Sequence, residues 1–84
     1  MDAIVYWIAT LEEEIHFIDA VLGAYDGLAV VRRDFKVEDG ETLYRVFVAP
    51  GMEEEFLEVV GRLRETASIG RVVREGEANA ASVS

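Results

Sequence analysis

The sequence predicts a two-layer α+β sandwich with the element order β-α-β-β-α-β. Three observations carry that expectation. Hydrophobic spacing alternates along the chain between a period of two, which belongs to strands, and a period near 3.6, which belongs to helices. One strong hairpin signal, Asp39-Gly40, stands near the middle. Both predicted helices begin on three consecutive glutamates, Glu12–Glu14 and Glu53–Glu55, whose charge favours the positive end of the helix dipole.

Residues Ala3–Ala9 are β-branched and aromatic, apolar on both parities, which is the pattern of a central strand. Thr10 with Glu13 three residues on reads as a capping box. It opens a helix of about fifteen residues on which Leu11, Ile15, Ile18, Leu22 and Tyr25 form one apolar stripe, flanked by Phe17 and Val21. Asp26-Gly27 stops that helix, the glycine suiting a left-handed residue past its end. Leu28 to about Val37 form a second strand and Glu38–Glu41 the turn. The return strand is Thr42–Ala49, with Tyr44, Val46 and Val48 on one face and Leu43, Arg45 and Phe47 on the other. Pro50-Gly51 interrupts it. Met52, Phe56, Val59, Val60, Leu63 and Ala67 mark a second amphipathic helix, and Ile69–Arg74 a last strand.

This order is the ferredoxin-like pattern. Right-handed crossovers place both helices on one face of a four-stranded antiparallel sheet whose first and third strands are central. A chain of 84 residues supports one domain. We assign it to residues 1–76, and 77–84, which lack periodicity and large side chains, to a flexible tail.

Composition narrows the function classes. A hydrophobic content of 51% argues against disorder, and the absence of cysteine excludes a disulfide or a thiolate metal centre. The net charge of -9 opposes an electrostatic nucleic-acid binder. The apolar run near the start lacks a basic flank and is too short to span a bilayer. A cytoplasmic protein without membrane contact is therefore expected. No catalytic constellation emerges: Thr66 and Ser68 have no base and orienting acid near them. His16 shares a helix face with Glu12 and Asp19, but there is no second histidine, so it reads as a solvent-facing side chain and no metal is expected. No phosphate-binding glycine motif occurs and no cofactor is expected. Gly23 and Gly61, inside predicted helices, read as sites of close helix packing.

The first strand is apolar on both faces, Ile4, Tyr6 and Ile8 on one and Val5, Trp7 and Ala9 on the other. Helices cover one face only, so one set lies on the open side. The third strand adds either Leu43 and Phe47 or Tyr44, Val46 and Val48. An exposed patch of this kind marks a binding surface, and the simplest cover is a second copy across a two-fold axis. Val5, Trp7, Leu43 and Phe47 are the candidate interface residues, in a homodimer or higher homo-oligomer.

Charge divides by layer, so an acidic helical layer and a locally basic strand region are expected. Glu12, Glu13, Glu14, Asp19, Glu53, Glu54, Glu55, Glu58 and Glu65 fall on the predicted helices, whereas Arg32, Arg33, Lys36, Arg45, Arg71 and Arg74 fall on or beside strands. Arg32, Arg33 and Arg45 are candidate ligands for a small anion at a subunit boundary, since a guanidinium can clamp two oxygens. Strand periodicity sends Arg32 and Arg33 to opposite faces, so only one of them can join Arg45 on the open face. The bland alternative is cross-strand pairing with Asp34, Glu41 and Glu75. Trp7, Tyr44 and Phe47 near these arginines also match the aromatic platform of RNA-binding sheets. No basic loop or tail supports that reading, and no nucleic-acid partner is expected.

The block from Glu14 to Arg33, with Ile15, Phe17 and the run Tyr25-Asp26-Gly27-Leu28-Ala29-Val30-Val31-Arg32, resembles a small bacterial family, domain of unknown function 4911. The resemblance extends over roughly residues 4–75 and transfers no activity. The element order is also similar to that of ACT-like regulatory domains, which implies dimers and ligand sites near subunit interfaces. Such sites often use a glycine after the first strand, where this chain has Thr10-Leu11. The sequence therefore points to an interaction or regulatory module, rather than an enzyme, that self-associates through its open sheet face or an edge strand. The alternative is an ACT-like sensor of a small amino acid or organic anion.

Overall fold

The computed structural model describes residues 4–25 and 27–76; the expected tail, 77–84, lies outside them. Six elements follow in the order read from the sequence: β1 (Ile4–Thr10), α1 (Glu12–Gly23), β2 (Ala29–Glu38), β3 (Glu41–Val48), α2 (Glu53–Leu63) and β4 (Ile69–Arg74). The sheet order is β2-β3-β1-β4 and every pairing is antiparallel. This is the ferredoxin-like arrangement, with β1 and β3 central and both helices on one face. Tyr6 and Ile8 of β1 and Val46 and Val48 of β3 pack in one cluster with Ile18 and Leu22 of α1 and Phe56, Val59, Val60 and Leu63 of α2.

The hairpin follows from its two turn residues. Asp39 (φ 52°) and Gly40 (φ 79°) both take positive φ, and Glu38 pairs with Glu41 across them. Two consecutive left-handed residues make the type I′ geometry whose twist matches that of the strands. Gly27 also takes the expected left-handed conformation, φ 80°.

Several local expectations are corrected. Thr10 does not cap α1. It lies in β1, paired with Ile69, and its hydroxyl donates to the Ser68 carbonyl at 2.5 Å. Leu11 occupies the cap position without a side-chain cap bond, so no capping box forms. The helix is correspondingly shorter, 12 residues, and its apolar stripe is narrower. Ile15, Ile18 and Leu22 are buried, whereas Leu11, Phe17 and Tyr25 are exposed. The second helix ends at Leu63, which leaves Glu65 and the buried Ala67 in the connection to β4. Gly23 and Gly61 are not packing sites either. Both are exposed, and a Cβ added at either meets nothing within 4 Å.

Candidate interaction surface

Burial of Tyr6, Ile8, Val46 and Val48 under the helices decides which face of the sheet is open. Val5, Trp7 and Ala9 of β1 alternate to the other side, and β3 presents Leu43, Arg45 and Phe47 beside them, with Trp7 opposite Arg45 and Val5 opposite Phe47. Val5, Trp7, Leu43 and Phe47 thus share the open face. They are not equally accessible: Leu43 is 1% exposed, and the other three are half-buried within the single chain.

What covers them is a layer of the chain's own charged side chains. The guanidinium carbons of Arg32 and Arg45 lie 5.7 and 5.2 Å from the Phe47 ring centroid, and Lys36 Nζ lies 4.3 Å from that of Trp7. Each is a cation over an aromatic face, an arrangement favoured by the ring quadrupole. Carboxylates complete the layer. Asp34 pairs with Arg45, and Glu38 with Lys36 at 3.3 Å and with Arg71 at 3.6 Å. Glu41 pairs with Arg71 at 3.0 Å, and Trp7 Nε1 donates to Glu75 at 3.0 Å. Long aliphatic stems lie along the apolar surface while their charged heads reach water.

These contacts also settle the arginines. Arg32 and Arg45 come together over Phe47; Arg33 does not join them. It lines a groove of about 260 Å³ on the helix side with Glu12, Ile15, His16, Phe35 and Tyr44. A larger recess, about 440 Å³, opens at the end of β1 among Ala9, Thr10, Gly40, Glu41, Ser68 and Gly70. His16 is exposed on α1. Among the described residues, no group of three or more His, Cys, Asp or Glu side chains is placed to hold a metal ion, and no helix is long and apolar enough to cross a membrane.

The helices are acidic as the sequence suggests, but the open sheet face is not locally basic. The open face carries Arg32, Lys36, Arg45 and Arg71 against Asp34, Glu38, Glu41 and Glu75 and is balanced. The helices carry eight acids, Glu65 lying beyond α2, and the single arginine Arg62.

An edge strand is the expected alternative to the open face, and β2, at 10 residues, is the longer of the two edge strands. Among the described residues it pairs only with β3, which leaves its other edge unpaired. Val30, Phe35 and Val37 on it are 54%, 61% and 65% exposed, the three most exposed large hydrophobics among the described residues. Between Val31 and Phe35 the strand bulges, three of its residues facing the single Arg45 of β3. The four charged residues Arg32, Asp34, Lys36 and Glu38 all reach the open face, as their partners there require. Their spacing of two was the available signal.

No protein-family model matches this chain, and neither a curated protein nor a solved structure is significantly similar to it. The expected resemblances to domain of unknown function 4911 and to ACT-like domains find no support in these comparisons.

Proposed function

We propose that this domain is an interaction or regulatory module that pairs with a second copy of itself through its sheet. The observation that carries this reading is the free edge of β2, a 10-residue strand on which Val30, Phe35 and Val37 stay more than half exposed. An unpaired strand edge with exposed apolar side chains is a template for further strand pairing. The edge is favoured over the centre of the open face because Val5, Trp7 and Phe47 are already half covered within the chain and Leu43 is buried. Electrostatics favours the same side. Two copies of charge -9 repel, and the balanced sheet face opposes their approach less than the acidic helices do.

Sedimentation or light scattering across a concentration series tests this. A dimer mass at micromolar concentration is expected, and Val37→Lys is expected to weaken the dimer roughly tenfold, about 1.4 kcal/mol, with its melting temperature unchanged at concentrations where both chains are monomeric. A wild-type monomer at every concentration overturns the reading.

A second reading, an ACT-like sensor of a small amino acid or organic anion, rests on the paired guanidiniums over Phe47. The Nε of Arg45 is buried without a hydrogen-bond partner among the described residues. Melting shifts across amino acids and organic anions test it: a shift lost in Arg45→Ala supports the sensor, and the absence of any shift counts against it.

A further inference from the structure

We infer that two copies join antiparallel along β2 in a register centred on Phe35, set by a self-complementary row of alternating charges. This rests on the proposed self-association and names its contact. On the open face of β2 the side chains read Arg32, Asp34, Lys36, Glu38, alternating in sign at a spacing of two. In an antiparallel pair related by a two-fold axis through Phe35, residue numbers facing each other sum to seventy by the geometry of the ladder. Arg32 then faces Glu38 of the second copy, and Asp34 faces Lys36. All four cross-strand pairs join opposite charges, which stabilises a strand pair, whereas like charges directly opposite destabilise it.

The neighbouring two-fold register, centred on Asp34, places Arg32 opposite Lys36 and Asp34 opposite itself. It is excluded by repulsion. Centring on Lys36 puts Lys36 opposite itself, so Phe35 is the only centre within this row that satisfies every charge. The helix-side residues agree with it. Phe35, 61% exposed, meets its own copy on the axis, and Val37, 65% exposed, meets the aliphatic stem of Arg33.

A further observation points to an outside partner. Asp34, Lys36 and Glu38 each have an ion-pair partner within the chain, whereas among the described residues Arg32 has only the Phe47 ring. Edge strands are commonly guarded by charge and by bulges. A guard of one sign repels every copy, but this row is its own complement. The bulge between Val31 and Phe35 sharpens the local twist and leaves the strand continuous through Glu38.

Charge reversal tests the register. Arg32→Glu alone and Glu38→Arg alone each place like charges opposite, and each is expected to weaken the dimer at least tenfold. An equimolar mixture of the two variants restores both pairs and is expected to return a heterodimer at wild-type concentration, as is the double variant R32E/E38R alone. Melting curves check that each chain is folded. If Glu38→Arg fails to fold, Asp34→Lys mixed with Lys36→Glu takes its place with the same expectation. A wild-type dimer unaffected by single reversal overturns the register and leaves self-association standing. Weakened variants that do not recover on mixing also overturn the register. A monomeric wild type overturns both.

Discussion

Thr10 shows how one residue type can serve two different local structures. Its position before three glutamates suits a helix cap, but β1 runs one residue further and turns the hydroxyl toward β4, where it donates to the Ser68 carbonyl. Glu14 Oε1 accepts from the Ser68 N–H at 2.7 Å, so both polar groups of the Ser68 peptide segment are held from the β1–α1 corner. Thr10 is 8% exposed. Thr10→Val keeps the shape and removes the donor, and is expected to cost about 1 kcal/mol in urea unfolding. A cost near zero would show that water replaces the bond. Arg32 and Arg33 mark the limit of sequence reading at this scale. Period two separates their faces, but only packing decides which face receives the helices. Arg32 therefore lies over Phe47, and Arg33 lines the helix-side groove that Glu12 and His16 also line.

At the scale of elements, the strands and helices are legible in the sequence and most of their ends are not. β4 has the boundaries that periodicity implies, because Gly76 and the connection before Ile69 punctuate it. The first helix is shorter than its apolar spacing, since an apolar residue at either end can satisfy the period without reaching the core. Leu11, 51% exposed, and Tyr25, 37% exposed, do so. Gly61 lies inside α2, exposed and with open space around it. Gly61→Ala is accordingly expected to stabilise the fold by about 0.5–1 kcal/mol, read as a raised melting temperature. The Asp39-Gly40 turn gives the opposite sign. With φ 79° at Gly40, Gly40→Val is expected to destabilise by at least about 1 kcal/mol in denaturant unfolding, because a β-branched residue is strained in that conformation.

For the whole molecule, a single shared core means that one deep truncation is felt everywhere. Phe56 is fully buried at the centre, 4.9 Å from the Tyr6 ring. Tyr6 in turn donates to Glu53 at 2.7 Å, and Glu53 pairs with Arg74 at 2.9 Å, so α2 is tied to β1 and β4. Phe56→Ala is expected to cost about 3–5 kcal/mol, lowering the melting temperature by at least about 12 °C in a domain of this size. A smaller shift would mean that the core collapses around the gap. Charge sorting is the other property of the whole chain. Acidic helices and a balanced sheet face leave one side on which the proposed pairing of two copies would meet little repulsion.

Taken alone, the sequence determines the element order, the hairpin turn, the central position of β1 and β3 and the separation of acidic helices from arginine-bearing strands. These depend on neighbours a few residues apart, and period, turn chemistry and helix dipole act at that range. It also puts Val5 and Trp7 on one face of their strand, and Leu43 and Phe47 on one face of theirs. Only the tertiary structure decides that these two sets share the open face. It decides as well that cations over Phe47 and Trp7 cover them, and that the accessible apolar side chains lie on the edge at Phe35 and Val37. The reason is physical. Exposure depends on which long side chains from adjacent strands lie across an apolar surface, and that is a property of strand register, which distant residues set together.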